Sequence, residues 1–366
     1  MKKILTVIGT RPEAIKMAKL IELLNEDSSI NHYVCVTGQH KELLYQALNS
    51  FNIIPNIDLE IMTVNQTLAD VTSKILTLFT KTLKDIKPDL VLVHGDTTTS
   101  VACALAAFYE KIPVGHVEAG LRTKNKYSPF PEEMNRSLTA QIATLHFAPT
   151  EINRNNLLNE GVLSENIFIT GNTVIDTLLS VSNKLTECPQ ELENIKHIID
   201  NKFILVTGHR RENFGQGFDN ICQALVEIAN KYPSYHIIYP LHLNPNVKNV
   251  VQNKIGNISN IHLIDPLSYF PFVYLMNKCV LILTDSGGIQ EEAPSLQKPV
   301  LVMREYTERT EALSEKTIQL VGTDIKNITN AVFNIIESPL SDILIKNPYG
   351  DGLACERIIN HIHQRL

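Results

Sequence analysis

The chain has 366 residues, which is long for a single hydrophobic core and typical of two domains. Its 44% hydrophobic and 20% charged residues are ordinary for a globular protein, and a net charge of −6 argues against nucleic acid or an anionic membrane as a partner. The six cysteines lack C-x-x-C spacing, and no signal peptide or apolar run of about 18 residues is evident. These features predict a protein of the reducing cytoplasm.

Short β-branched runs alternate with amphipathic stretches through the first half of the chain. Nearly continuous apolar strands separated by helices, such as the helical pattern at 67–86, indicate a parallel sheet covered on both faces. The predicted strands are 3–9, 32–38, 89–95, 113–118, 145–149 and 166–171.

The same alternation resumes after a polar stretch near 183–200. We therefore predict an α/β chain of two doubly wound, Rossmann-like parallel-sheet domains with a cleft between them, residues 1–171 and 172–353. From its pattern alone, the final amphipathic stretch could pack on either domain. The predicted strands of the second half are 202–208, 235–240, 260–265, 279–283 and 299–303.

Two common phosphate-binding fingerprints do not occur in the sequence. Gly9 stands alone after the first strand, "GQG" (215–217) lacks the third glycine of G-x-G-x-x-G, and no G-x-x-x-x-G-K-[ST] is found. The sequence thus predicts neither an NAD cofactor nor a P-loop nucleotide site, and we expect no obligatory metal.

Two cations follow the first strand. Arg11 lies two residues past Gly9, Pro12 suits the first turn of a helix, and Lys16 lies about one turn further on. Both cations could reach a phosphate near this helix N-terminus, where backbone N–H groups favour anions. The alternative is a pair of solvated side chains on a surface helix.

Two carboxylates directly follow buried strands. Asp96 ends "VLVHGD" and Glu118 ends "PVGHVE", and each comes two residues after a histidine, His94 or His116. Because parallel strand ends face one crevice, both carboxylates are expected in the same space. Helix capping would explain Asp96 reasonably and Glu118 poorly.

A further pair of carboxylates, Glu132 and Glu133, begins a helix after two prolines in "YSPFPEEMNR". Acidic residues in a first turn usually interact with the helix dipole, which we expect for one of the two.

The second half contains a cationic cluster and paired glycines at two strand ends. "VTGHRREN" (206–213) places Arg210 and Arg211 after a strand, and "TDSGGIQEE" (284–292) opens a helix. Backbone amides at this helix start suit a diphosphate, and Glu292, about one turn in, could accept hydrogen bonds from two ribose hydroxyls. The candidate residues are His209, Arg210, Ser286, Gly287, Gly288 and Glu292.

A family resemblance rests on "GTRPEAIKM", "VLVHGDTTT", "PVGHVEAGLRT", "SPFPEEMNR", "ITGNTVID", "LVTGHRREN", "HLNPNV", "LTDSGGIQEEAPSLQKPVLVMR" and "NPYGDG". Together these stretches resemble the non-hydrolysing bacterial UDP-N-acetylglucosamine 2-epimerases over nearly the whole chain. The resemblance implies the GT-B fold, with a C-terminal helix (354–366) crossing back to the first domain. It also implies a homodimer that supplies UDP-N-acetylmannosamine for surface polysaccharide.

The resemblance also implies residue roles. Asp96, Glu118 and Glu132 match the family's catalytic carboxylates, and His209 matches its catalytic or phosphate-facing histidine. Leu267 stands where relatives can carry Gln near the uracil. The residues that match the sugar-diphosphate and UDP contacts are Arg11, Lys16, Phe272, Ser286, Gly287, Gly288, Glu292 and Arg309.

Many members of this family bind a second UDP-N-acetylglucosamine as an allosteric activator. Gln39, Arg210 and His242 match that site, whereas Glu42 and Asn65 depart from the pattern of regulated relatives, which counts against such regulation here.

The chemistry explains why these residue types are needed. No carbonyl adjoins C2 of the sugar, so its proton is weakly acidic, and expelling UDP from C1 makes it removable. The departing diphosphate needs cations, and C2 needs a base on one face and an acid on the other. We expect Asp96 and Glu118 to do most of the proton transfer and Glu132 to assist. The alternatives are a hydrolysing 2-epimerase, a GT-B glycosyltransferase that requires an acceptor, and an inactive UDP-sugar-binding regulator.

Overall fold

The computed structural model describes residues 1–38, 41–63, 65–208, 210–241, 245–315, 317–338 and 345–366. The chain divides into two compact units: the first unit is Met1–Thr177 with Tyr349–Leu366, and the second unit is Leu178–Pro348. No helix in these described ranges is long and apolar enough to cross a membrane.

These divisions lie a few residues from the predicted boundaries, 171/172 and 353/354. The helix Thr173–Lys184 runs through the first division, so a break at 171 would separate it from the first unit's sheet. At the second division, the Asn172 N–H donates to the Tyr349 carbonyl over 2.7 Å, which ties residues 349–353 to the first unit.

Among its described residues, the first unit contains a seven-stranded sheet whose neighbouring strands run parallel. The six predicted strands are present, shortened or shifted by a residue or two. The sequence missed the third strand, because it has only two half-buried residues. The strands are β1 (Lys2–Ile8), β2 (Ile30–Val36), β3 (Ile57–Asp58), β4 (Leu90–His94), β5 (Val114–Val117), β6 (Leu145–Ala148) and β7 (Ile167–Ile169), in the order β3-β2-β1-β4-β5-β6-β7.

Helices connect these strands. The predicted helix at 67–86 is confirmed as Leu68–Ile86, where a capping box between Thr67 and Asp70 satisfies its first N–H groups. The helices are α1 (Arg11–Glu26), α2 (Lys41–Ser50), α3 (Leu68–Ile86), α4 (Thr98–Tyr109), α5 (Glu132–Ile142), α6 (Glu151–Asn159) and α7 (Thr173–Lys184).

The second unit repeats the architecture with a six-stranded parallel sheet. The five predicted strands are present, and a sixth, of three residues, was not predicted. Its strands are β8 (Phe203–Thr207), β9 (His236–Pro240), β10 (Ile261–Ile264), β11 (Leu281–Thr284), β12 (Val300–Val302) and β13 (Ile318–Leu320), in the order β10-β9-β8-β11-β12-β13.

The remaining helices complete the chain. The carboxylate of buried Asp176 accepts hydrogen bonds from the Ala354 and Cys355 N–H groups and so caps the last helix, which packs on α1 in the first unit. The helices are α8 (Lys196–Ile199), α9 (Gln216–Lys231), α10 (Pro245–Ile255), α11 (Tyr269–Lys278), α12 (Gly287–Glu292), α13 (Thr310–Ser314), α14 (Ile325–Glu337) and α15 (Ala354–Arg365).

Burial of the strands on both faces stabilises each unit. Every residue of β4 is buried, as is every residue of β11, and full burial of one such aliphatic side chain contributes about 1.5–3 kcal/mol. In each sheet the strand order reverses beside the first strand, between β1 and β4 and between β8 and β11. Ligands of doubly wound sheets bind outside the strand ends at such switch points.

Candidate active site

The switch point of the first unit places Glu118 directly after β5. Its Oε2 lies 2.6 Å from Lys16 Nζ on α1 and 3.3 Å from His94 Nε2 at the end of β4. Burial opposes ionisation of this carboxyl, but Lys16 and His94 outweigh it and hold the pKa of Glu118 well below its usual range. The carboxylate that follows β5 thus contacts the histidine that ends β4, and this carboxylate is ionised at neutral pH.

Asp96 follows β4 and is held by α5. Its Oδ2 accepts a short hydrogen bond from Arg136 Nη2, and its carbonyl accepts one from Asn135 Nδ2 over 3.0 Å. Arg136 is 5% exposed and also lies 3.2 Å from Glu133 Oε2. Asp96 is not acting as a helix cap, because Thr97 accepts the α4 capping bond from the Ser100 N–H.

The paired glutamates at the start of α5 have different environments. Buried Glu133 accepts hydrogen bonds from the backbone N–H groups of Thr123 and Lys124, so it fixes the preceding loop. Glu132 instead has a buried Oε2 with no hydrogen-bond partner among the described residues. A buried polar oxygen without a partner in the protein can accept one from a ligand, so Glu132 is the candidate for chemistry.

Arg11 and Lys16 lie on α1 where the sequence predicted them. Arg11 is the first helical residue, and Lys16 contacts Glu118 rather than solvent. The solvated-surface alternative is therefore wrong for Lys16. Partial burial lowers the pKa of Arg11, which indicates that this guanidinium is also withdrawn from bulk water.

Glu13, which was not among the candidate residues predicted from the sequence, is a buried carboxylate that joins the ends of β1 and β4. Its Oε2 accepts from the Gly9 N–H over 3.0 Å and from the Thr10 hydroxyl over 2.8 Å. Its Oε1 accepts from the Thr97 hydroxyl over 2.8 Å and the Ser100 hydroxyl over 3.2 Å. Burial raises the pKa of Glu13 despite these donors. The only signal in the sequence was its position in the first turn of α1.

The switch point of the second unit carries guanidinium groups over Gly287. A Cβ atom at this position would lie 3.3 Å from Arg309 Cζ and 3.6 Å from Arg210 Nη2. The glycine therefore lets both cations approach the start of α12, whereas a Cβ at Gly288 would meet only Glu292 Oε1, at 3.8 Å. Of the two adjacent glycines, Gly287 is thus the one whose missing side chain makes room for the arginines.

Acidic side chains form ion pairs with Arg309 and with a further arginine, Arg304. Arg309 Nη2 lies 2.7 Å from Glu291 Oε1 and its Nη1 lies 2.9 Å from Glu308 Oε1. Arg304 Nη1 lies 2.9 Å from Glu308 Oε2. Burial opposes ionisation of Glu308, but Arg309 and Arg304 hold its pKa below the usual value. The sequence did not reveal Glu291, Arg304 or Glu308 as members of one cluster. Glu291 lies on α12, whereas Arg304 and Glu308 lie in the loop after β12.

The carboxylate at the end of β11 is structural. Asp285 is 0% exposed, and its Oδ2 accepts from the Arg210 N–H over 2.8 Å. The Ser286 N–H donates to Thr284 Oγ1 over 3.0 Å, so this amide, which was predicted for a diphosphate, already has an acceptor. Glu292 Oε2 accepts from the Tyr269 hydroxyl over 3.2 Å, and Phe272 lies half-buried on α11.

Three predicted residues, Gln39, His209 and His242, lie outside the described residues. Glu42 is exposed on α2, and Asn65 is exposed with a left-handed φ of 59°. Within the described ranges, no group of three or more His, Cys, Asp or Glu side chains could hold a metal ion.

Comparison with known proteins gives the family. Residues 22–363 match the model of the UDP-N-acetylglucosamine 2-epimerase family. A curated UDP-N-acetylglucosamine 2-epimerase of Yersinia pestis is 54% identical over 98% of this chain and 97% of its own length.

Solved structures agree with that match over the whole chain. The crystal structure of UDP-GlcNAc 2-epimerase from Neisseria meningitidis bound to UDP-GlcNAc has a TM-score of 0.87 and 50% identity, covering 99% of this chain and 100% of that one. A putative UDP-N-acetylglucosamine 2-epimerase from Listeria monocytogenes has a TM-score of 0.93 and 43% identity, covering 100% and 97%. This chain therefore belongs to the UDP-N-acetylglucosamine 2-epimerase family, and its two parallel-sheet units form the GT-B fold of that family.

Proposed function

We propose that this protein is a non-hydrolysing UDP-N-acetylglucosamine 2-epimerase that interconverts UDP-N-acetylglucosamine and UDP-N-acetylmannosamine. The observation that carries the proposal is the set of carboxylates at the β4 and β5 ends and the start of α5, with Lys16 and Arg136 beside them. A glycosyltransferase has no need of several carboxylates beside its sugar, whereas inversion at C2 needs proton acceptors and donors.

The reaction proceeds by elimination and re-addition. The C1–O bond breaks with its electron pair leaving on UDP, while a carboxylate takes the C2 proton, and the products are 2-acetamidoglucal and UDP. In the return step a diphosphate oxygen attacks C1, and C2 receives a proton on its opposite face. Neither step transfers a hydride, so we expect the reaction to run without NAD. We also expect no obligatory metal.

The carboxylates divide this proton transfer. Glu118 and Asp96, each beside a cation, serve as proton acceptors at C2. Glu132, whose buried Oε2 has no donor among the described residues, assists as a further proton-transfer group. Positioned acid–base groups of this kind typically contribute 10²–10⁴-fold each, as an order of magnitude.

Cations and the α12 glycines hold the leaving group. In the second unit, Arg309 stabilises the charge that develops on the departing diphosphate. In the first unit, Arg11 and Lys16 are the cations that match the family's sugar-diphosphate contacts. The other nucleotide contacts are the Gly287 and Gly288 amides, Ser286, Glu292 at the ribose and Phe272 at the uracil.

We also propose that the enzyme is a cytoplasmic homodimer. Large apolar side chains are exposed on neighbouring helices of the first unit: Phe108 is 59% and Leu138 48% exposed. These groups lie on two helices that pack against each other, and we propose that a second copy covers them. The molar mass measured by light scattering tests this, and a mass of 41.1 kDa would contradict it.

The activity is tested by NMR of the purified protein with UDP-N-acetylglucosamine in D2O, without NAD or acceptor. We expect UDP-N-acetylmannosamine carrying deuterium at C2. Free N-acetylmannosamine with stoichiometric UDP would place the protein in the hydrolysing class. No product and no exchange at C2 would contradict the epimerase assignment and direct attention to a transferase acceptor.

A further inference from the structure

Two histidines make crossed contacts between β4 and β5. His94 ends β4, and its Nε2 lies 3.3 Å from the carboxylate of Glu118, which follows β5. His116 lies on β5, and its Nε2 lies 2.7 Å from the carbonyl oxygen of Gly95, which follows β4. Each histidine therefore contacts the residues that follow the neighbouring strand, and each of these loops carries one carboxylate.

The His116 contact fixes the turn before Asp96. His116 is 0% exposed, and burial lowers its pKa to about 3, so its imidazole is neutral at physiological pH. A carbonyl oxygen only accepts hydrogen bonds, so His116 Nε2 carries the proton and donates it. Gly95 has a left-handed φ of 63°, and its N–H donates to the Val117 carbonyl over 2.9 Å. The N–H and the carbonyl of Gly95 are thus both hydrogen-bonded to β5, one residue before Asp96.

The His94 contact fixes Glu118 directly. Glu118 is not a glycine, yet its φ is 61°, a conformation that costs on the order of 1 kcal/mol and must be held by its surroundings. Among the described residues, Lys16 and His94 both contact Oε2 of this carboxylate. Lys16 donates a hydrogen bond to this oxygen over 2.6 Å, and the buried imidazole of His94, 3.3 Å away, limits where the carboxylate can lie.

We propose that His94 and His116 are positioning residues that hold the two carboxylates of this site in register across β4 and β5. His94 acts on Glu118 itself, and His116 acts on Asp96 through the Gly95 peptide. The inference rests on the proposed roles of Asp96 and Glu118 in proton transfer. Displacing a reacting group by about 1 Å can cost on the order of 10²-fold in rate, so small shifts of either loop matter.

The test replaces each histidine by Gln and by Asn. A Gln side chain places an amide N–H near the position of histidine Nε2, whereas the shorter Asn does not reach it. We expect His116→Asn and His94→Asn to lower kcat by roughly 10–100-fold with little change in KM. His116→Gln and His94→Gln should recover most of that loss, and circular dichroism verifies that each variant is folded.

A pH profile separates the two positions. Because the His94 contact helps to hold the pKa of Glu118 down, His94→Asn should shift the acidic limb of kcat to higher pH. His116→Asn should lower kcat without moving that limb. The control is His32→Asn, which removes contacts to Thr6 and Asn25 in the same unit but touches neither carboxylate loop. Its kcat should equal that of the wild type.

The inference is overturned if the Asn and Gln variants have equal kcat at either position, or if His94→Asn leaves the acidic limb unmoved. Failure of the proposed function is recognised separately, because the wild type would then show no deuterium exchange at C2. If Asp96→Asn and Glu118→Gln retained full activity, the catalytic roles proposed for these two carboxylates would be wrong, whatever the histidine variants showed.

Discussion

The two units share one topology and use it differently. In both, the strand order reverses beside the first strand, and the candidate carboxylates and cations follow that strand and the two strands beyond the reversal. In the first unit the carboxylates there are partly accessible, with side-chain exposures of 13% for Glu118 and 27% for Asp96. In the second unit Asp285 is 0% exposed and binds backbone, while arginines lie over a glycine. The topology supplies a location, and the side chains decide between proton transfer and anion binding.

The largest expected effect is on proton transfer by the carboxylates of the first unit. Glu118→Gln keeps the shape of the side chain but removes its capacity to accept a proton, so C2 deuterium exchange should fall by roughly 10²–10⁴-fold. UDP affinity, measured by calorimetry, should change by less than about threefold, which corresponds to under 1 kcal/mol. Exchange at the wild-type rate would exclude Glu118 from the chemistry.

The matching test of the second unit uses its two glycines. Gly287→Ala places a methyl group 3.3 Å from Arg309 Cζ, so the guanidinium must move, and we expect UDP affinity to fall about tenfold. At Gly288 the nearest group is Glu292 Oε1 at 3.8 Å, an ordinary contact, so Gly288→Ala should cost less. Equal losses at both positions would show that amide access, and not the arginines, requires the glycines.

A third prediction concerns the buried carboxylate that joins β1 to β4. Glu13→Ala leaves the Gly9 N–H and the hydroxyls of Thr10 and Thr97 without their acceptor. We expect the free energy of unfolding to fall by about 2–4 kcal/mol, with Glu13→Gln costing less. Urea denaturation measures this. Glu22→Ala, which removes an exposed ion pair with Lys19 on the same helix, is the control, with an expected change below about 1 kcal/mol.

Acid should act mainly on the first unit. Burial lowers the pKa of His116 to about 3 and those of His32 and His146 to about 4, and all three lie in the first unit. A folded-state pKa below the unfolded value means that the unfolded chain binds more protons. This stabilisation is therefore complete above pH 6.5 and lost as the pH falls towards 4. Rate-corrected hydrogen exchange at pH 7 and pH 5 should show greater loss of protection in the first unit. Equal loss in both units would contradict this difference.

The sequence predicted the parts of the fold that depend on local pattern. Continuous apolar runs identified eleven strands, whereas β3 and β13 have two and three residues and include partly exposed positions, so no pattern distinguished them. Asp96 and Glu118 were found because strand ends in a parallel sheet share one edge. Arg136, the partner of Asp96, was not, because the pair is 40 residues apart and depends on how α5 packs. Likewise, the neighbouring residues in the sequence do not show that Glu13 is buried or that Asp285 accepts a hydrogen bond from a backbone N–H.

The most direct test compares Asp96→Asn with Arg309→Met, measuring UDP affinity and C2 deuterium exchange in both. The account predicts that Asp96→Asn binds UDP within about threefold of the wild type yet loses exchange at every substrate concentration. Arg309→Met should lose at least about tenfold in UDP affinity yet recover measurable exchange at saturating substrate. If Asp96→Asn lost UDP affinity as strongly as Arg309→Met, the division between a proton-transfer site and a nucleotide site would be contradicted.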